Sequence, residues 1–399
     1  MHASAAESFA VEVAWLLLGI AIVGLLARWL RVPYAVALVL GGLLVEESHV
    51  VAVPRLEPDL VLFVFLPPLL FDASFRLDTR QLRRVARPVL LLALPGTLLT
   101  ALLVGAILAL VLRLPLPVAL LFGSVVAATD PVAVLGVFQR LHAPLKLSVV
   151  AEGESLVNDG VAITLYTALL GLALTGAVNV PSAVGLFGRE VLGGVAVGAV
   201  CGFVFSRLTS TIDDHLVEMT LSTALAYGSY LIAQALGASG PLACVAAGLI
   251  HGSYGRRVGL SAEVSRVLDD LWEYLGFAAN GVLFLLVGFS VNVASLLAHA
   301  GPIAVAVVAV LLARGLVIGL SALPGVPIRS LLSPRERVVL TWAGLRGALT
   351  IALALALPAD TPQRDLLVAM AFGVALFTLL VQGLSLSWLV QRLGLVRSA

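Results

Sequence analysis

The run PVLLLALPGTLLTALLVGAILALVL, residues 88–112, passes 25 positions without a charged side chain. Few features restrict a chain more. A bilayer core accepts about 20 apolar residues as one helix, and every backbone N–H and C=O there must be satisfied within that helix. Thirteen apolar segments follow one another along the chain, at about 9–30, 33–45, 56–74, 85–112, 116–138, 144–172, 183–206, 215–236, 239–253, 265–290, 300–323, 335–357 and 364–392. Two of them, 33–45 and 239–253, are short for a full crossing. Only 12% of the 399 residues are charged, against about 25% in soluble domains. A soluble chain of this size has nowhere to bury so much apolar surface. The expected fold is therefore an all-α polytopic membrane protein of about 13 transmembrane helices. A single transmembrane unit over 1–399 is expected, with no soluble domain and no regulatory tail.

The basic residues test that count. In one orientation, with the N-terminus outside, eighteen of the 24 Lys and Arg fall in inside loops and four in outside segments. Arg314 and Arg346 remain within apolar runs. This asymmetry follows the positive-inside rule, and the acidic loop EESHVVAVPRLEPD lies on the outer side. Residues 1–8 hold no Lys or Arg, so the first run is expected to stay as an uncleaved helix. The net charge of +1 says nothing about partners, and no nucleic-acid partner is expected. Cys201 and Cys244 both sit in apolar runs and imply neither a disulfide nor a metal site.

An odd number of crossings suggests two sixes joined by one. Residues 9–172 and 215–392 would form inverted repeats, with 183–206 as the linking helix. This is a common architecture of secondary transporters. Segment 5 then corresponds to segment 12, and both carry a polar interruption, AATDPVAV and AGLRGALT. Broken helices at equivalent positions, crossing near the bilayer midplane, are a sequence pointer to a binding site.

In AATDPVAV, Pro131 suits the first helical position because it lacks an N–H. Asp130 suits the cap, where its carboxylate meets exposed N–H groups. Thr129, forced out of helical geometry by the residues that follow, offers its carbonyl and hydroxyl to a cation. The alternative is a Pro kink with a capping Asp and no ligand. In AGLRGALT, Gly344 and Gly347 loosen the helix around Arg346. That guanidinium can meet carbonyls left unpaired at a half-helix C-terminus, or a carboxylate.

Segment 6 holds AEGESLVNDGVAITLY. Ser155 and Asp159, spaced i, i+4, share a helix face, and Glu154 and Asn158 share the neighbouring one. A charge at mid-bilayer must face a cavity or a partner. Asp159 can bind a hard monovalent cation, helped by the Ser155 hydroxyl, or a proton. One carboxylate with two mutually exclusive ligands is the minimal device for exchange. Arg346 is the natural opposite charge for Glu154, and that pair is expected to be structural. Glu152 is placed at the inner entrance. Asp72, in FLPPLLFDASF, is a ligand, a funnel residue, or an anion balancing Arg76. Arg314 needs an acceptor that the sequence does not name. The chain has no HExxH, Walker A, Cys/His metal cluster or TVGYG-like filter.

Taken in order, ATDPVAV, GESLVNDGVAITLY and GLRGALTIALAL resemble the monovalent cation:proton antiporters, the family of bacterial and archaeal NhaP proteins and the animal Na+/H+ exchangers. LPPLLFDASF, ASGPLACVAAGLIHG and GVLFLLVGFSV resemble further helices of that family, so the similarity covers nearly the whole chain. The resemblance implies a thirteen-helix homodimer with a moving six-helix core. It implies an ion site near Thr129, Ser155 and Asp159, with Asp72 aligned to an acidic position that contributes in some members. Members with an Asn-Asp pair, here Asn158-Asp159, resemble electroneutral one-for-one exchangers. Glu154–Arg346 resembles a salt bridge of the family's core.

The expected function is thus Na+ (or Li+)/H+ antiport in the plasma membrane of a prokaryote, by alternating access and without a cofactor. A K+/H+ antiporter is the nearer rival, a gated cation channel a more distant one, and a membrane-embedded enzyme is disfavoured for want of a nucleophile–base constellation.

Overall fold

A computed structural model describes residues 5–30, 32–48, 57–175, 180–212, 214–323 and 331–396, and it is helical within every apolar segment, two of them, 116–138 and 335–357, in two pieces. Arg31, Arg55, Arg329 and Arg397, counted in the charge asymmetry, lie outside the described residues, as does most of the acidic loop.

The helices run α1 (Ala5–Leu30), α2 (Tyr34–Ser48) and α3 (Leu66–Arg76), entered through a π-helical stretch Leu60–Phe65. Next come α4 (Thr79–Val111), with a π turn at Leu92–Gly96, α5 (Leu116–Val125), α6 (Val132–Arg140), α7 (Leu145–Thr175) and α8 (Val180–Thr209). They continue as α9 (His215–Ala235), α10 (Gly240–Ile250), extended by a π turn His251–Gly255, α11 (Ala262–Phe289), α12 (Val293–Ala298) and α13 (Ala300–Leu320). The chain closes with α14 (Pro334–Trp342), α15 (Ala348–Leu355) and α16 (Arg364–Arg392), which has a π turn at Thr378–Gln382. Among the described residues there is no strand. Eight of these helices are long and apolar enough by themselves to cross a membrane. The other apolar segments are short or interrupted.

The helix starts carry their own local signals. Asp78 accepts the backbone N–H groups of Arg80 and Gln81 and so caps α4. Asp214 does the same for α9, and Ser333 with Glu336 forms a reciprocal capping box on α14.

Inside the bundle, apolar burial gives no driving force relative to lipid tails, so close packing holds the helices together. α2 and α11 cross where Gly42 meets Gly288. A Cβ on Gly42 would press into the Leu285 carbonyl, and one on Gly288 into that of Val39. Phe71, Phe75, Trp272 and Phe284 belong to one core region, with the Trp272 ring 4.4 Å from Phe71 and its indole N–H on Ser222 Oγ at 2.9 Å. A second core region gathers Val104 and Leu108 of α4, Phe122 of α5, Val310 of α13 and Met370 of α16. The outer surface is apolar as well. Trp29, Leu110 and Leu192 are at least 70% exposed, as side chains facing lipid are free to be. In α1 only 11% of the apolar window is buried.

Segments 5 and 12 are both broken. Residues 126–131 separate α5 from α6, and 343–347 separate α14 from α15. The two breaks meet, with Asp130 N–H donating to the Leu345 carbonyl at 2.9 Å.

Candidate functional site

The break between α5 and α6 frees backbone carbonyls that a continuous helix would have used. Arg346, only 1% exposed, satisfies two of them from the opposite break. Its Nη1 donates to the Ala127 carbonyl at 2.5 Å and the Ala128 carbonyl at 2.8 Å. Arg346 is itself gripped through its backbone. Its N–H donates to Thr378 Oγ1 at 3.0 Å, and the single proton of that hydroxyl has the Ala375 carbonyl at 3.0 Å and the Arg346 carbonyl at 3.3 Å as acceptors. Thr378 opens the π turn of α16. Four residues on, Gln382 donates to the Trp342 carbonyl at 3.1 Å, the last of α14. One turn of α16 thus holds both sides of the second break.

Asp130 caps α6 by accepting the Val132 N–H at 2.9 Å, with Pro131 one residue ahead of the helix. Gly347 lies against it. A Cβ there would overlap the Asp130 carboxylate, so only glycine lets the two breaks come together.

Helix α7 brings the rest. Thr129 Oγ1 is 3.0 Å from Ser155 Oγ and accepts from Asn158 Nδ2 at 3.0 Å. The Thr129 hydroxyl, expected from the sequence to be free, is therefore shared by two α7 side chains that sit one helical turn apart. All three residues are at most 5% exposed. Asp159 is next on that face, half-buried, with Oδ1 hidden from solvent and without a hydrogen-bond partner among the described residues. Its charged neighbours are Asp130 and Arg346. The site thus offers a carboxylate, two hydroxyls and an amide oxygen, since Asn158 Oδ1 is also buried and unpaired. Oxygen donors of this kind suit a hard cation or a proton.

Glu154 departs from expectation. Its partner is Arg314 of α13 and not Arg346. The two side chains meet in a bidentate pair, Arg314 Nη1 on Oε1 and Nη2 on Oε2, the latter at 3.0 Å. Nη2 also donates to the Leu340 carbonyl at 3.2 Å. Arg346 forms no ion pair with Glu154, and its Nη1 is directed instead to the carbonyls of the first break. Gly344 makes room for Arg314, whose Nε would lie 2.9 Å from a Cβ at that position.

Asp72 stands with other partners. Arg76 Nη1 is 3.4 Å from it and 3.2 Å from Glu273 of α11. Glu152 of α7 is a further charged neighbour of this group. Of the three sequence readings of Asp72, the geometry matches the anion that balances Arg76. Thr129, Ser155, Asn158, Asp159, Asp130 and Arg346 come together, whereas Asp72 pairs with Arg76 outside that network. Sequence reasoning missed Thr378 and left Arg314 unassigned. Thr378 and Gln382 are isolated polar residues at i, i+4 in the apolar run AFGVALFTLLVQG, and that spacing was the available signal.

Two interrupted helices meeting over buried oxygen donors, within a bundle of apolar spans, define a polytopic membrane transporter of the secondary type. Comparison with known proteins makes the class specific. The family described as sodium/hydrogen exchanger, transmembrane, matches residues 16–392. The chain is 38% identical over 382 residues to the Na(+)/H(+) antiporter ApNhaP of Aphanothece halophytica, covering 95% of this chain and 73% of that protein. It is 36% identical over 384 residues to the Na(+)/H(+) antiporter NhaH of Halobacillus dabanensis, covering 93% and 94%. The structure of the sodium proton antiporter MjNhaP1 from Methanocaldococcus jannaschii at pH 8 superposes with a TM-score of 0.78 at 24% identity, over 97% of this chain and 98% of that one, a likeness of fold. The chain belongs to the sodium/hydrogen exchanger family.

Proposed function

We propose that the protein exchanges Na+ (or Li+) for H+ across a membrane, with both ions competing for Asp159. The observation that carries this reading is the buried Asp159 Oδ1, left without a protein partner beside the Thr129–Ser155–Asn158 network. A carboxylate so placed binds a cation or a proton, and one excludes the other. The neutral Asn158 leaves a single acid to change ligand at this position, which supports electroneutral one-for-one exchange. Asp130, Glu154, Arg314 and Arg346 have structural partners and hold the frame in which Asp159 works.

Alternating access is supported by the two breaks, which meet through the Asp130 N–H on the Leu345 carbonyl and Arg346 on the Ala127 and Ala128 carbonyls, in the repeats expected at 9–172 and 215–392 with 183–206 between them. The charge asymmetry of the loops supports an N-terminus outside and a C-terminus inside, and the similarity to bacterial antiporters supports a plasma-membrane location. A homodimer is part of the same reading, on the resemblance to the family. The test is a cation-jump pH-dequenching assay in proteoliposomes with Na+, Li+ and K+ compared. Na+ and Li+ should each collapse an imposed proton gradient. A response to K+ alone would replace the reading with K+/H+ antiport, and cation current without coupled proton flux would replace it with a channel.

A further inference from the structure

At the start of α4, Arg80, Arg83, Arg84 and Arg87 are all exposed. Their spacing, i, i+3, i+4 and i+7, places them in one stripe along the helix. The same stripe continues into Leu90 and Leu91, 46% and 39% exposed, at the edge of the apolar span. The opposite face is fixed. Leu82 and Val89 pack at Gly153 of α7, where a Cβ would come within about 3.1–3.2 Å of both. The arginines therefore cannot turn inward.

Other basic side chains in the loops of that side have protein partners. Arg76 meets Asp72 and Glu273, Lys146 meets Glu336, and Arg256 meets Asp269. None of the four stripe arginines forms an ion pair with a described residue. The nearest acid in the chain, Asp78, is engaged in capping the helix. Four like charges thus sit along about 10 Å of helix, at a rise of about 1.5 Å per residue. That length is on the order of the polar headgroup layer, about 5–8 Å deep on each side of the hydrocarbon core.

We infer that the arginine stripe Arg80, Arg83, Arg84 and Arg87 is a docking surface for the phosphodiester headgroups of anionic phospholipids. Guanidinium groups match phosphate oxygens in paired hydrogen bonds. Leu90 and Leu91, directly below on the same stripe, give the attached acyl chain an apolar track. A free phosphate ion has no use for that track, which is why the occupant is a lipid. Because the buried side of this helical turn packs on α7 beside Glu152, Glu154 and Ser155, a bound lipid steadies the helix that carries Asp159. The inference does not depend on which cation is transported.

The experiment is a native mass-spectrometry titration of the detergent-purified, delipidated full chain with phosphatidylglycerol, phosphatidylcholine or inorganic phosphate. Phosphatidylglycerol should be retained in preference to phosphatidylcholine, and millimolar phosphate should not displace it. Each basic residue near an anionic membrane surface contributes about fivefold in affinity. Arg83→Gln/Arg87→Gln should therefore weaken retention roughly 30-fold, and Arg113→Gln/Arg189→Gln, which removes two exposed arginines elsewhere, should not. Equal retention of the two lipids by the unsubstituted chain would overturn the inference, with no variant needed. So would displacement by phosphate, or equal losses in the two double variants.

Discussion

Arg314→Ala should be among the most destabilising single substitutions in this protein. Glu154 is 2% exposed, and both its carboxylate oxygens are held by the Arg314 guanidinium, which also occupies the Leu340 carbonyl. Removing the arginine leaves a buried acid uncompensated and a carbonyl unpaired. Breaking a buried pair in this way costs about 3–5 kcal/mol. With an unfolding entropy of about 2.1 cal/mol/K per residue, a chain of this length shifts its midpoint by roughly 1.2 °C per kcal/mol, giving a drop of about 4–6 °C. Helices that survive denaturation in detergent lower that entropy, so the shift should be at least this large.

The assay is a melting curve of the purified chain in detergent, run as two double-mutant cycles. Glu154→Leu combined with Arg314→Met should recover much of the loss, because an apolar pair of similar volume removes both charges together. The cycle for Glu154 with Arg346 should show a much smaller coupling, since Arg346 donates to Ala127 and Ala128. If Arg314→Ala melts like the parent, or if Glu154 couples more strongly to Arg346 than to Arg314, the pairing argued from the structure is wrong.

Three other outcomes follow from the site. Asp159→Asn should abolish Na+-driven proton flux in proteoliposomes while leaving the melting curve near that of the parent, and retained flux would remove Asp159 from the exchange. Lowering the pH should raise the Na+ concentration needed for half-maximal exchange, because a proton on Asp159 excludes the cation; an affinity that does not change between acidic and alkaline pH would contradict competition at one carboxylate. A valinomycin-clamped diffusion potential of either sign should leave the exchange rate unchanged, whereas each elementary charge moved would otherwise contribute about 2.3 kcal/mol per 100 mV; a several-fold response would show that the neutral Asn158 does not make the cycle electroneutral.

The sequence by itself determined the elements. Apolar runs such as 88–112 leave a chain no alternative to helix in a bilayer, and Pro131 with Gly344 and Gly347 marks where two of those helices must break. These are local properties, carried by residues within a few positions of one another. The i, i+4 placement of Ser155 and Asp159 on one face of α7 was legible for the same reason. What the tertiary structure alone decided was who meets whom across the bundle. Glu154 had two buried arginines within reach of a plausible pairing, Arg314 and Arg346, 160 and 192 positions away, and no local pattern ranks them. The choice was made by the carbonyls of Ala127 and Ala128, which became orphans only when α5 ended and which took Arg346 for themselves. The Thr129 hydroxyl was claimed by Ser155 and Asn158 in the same manner, and the Arg346 backbone by Thr378. Backbone groups freed by a broken helix inside a bilayer must find partners elsewhere, and those partners arrive only when every helix is in place.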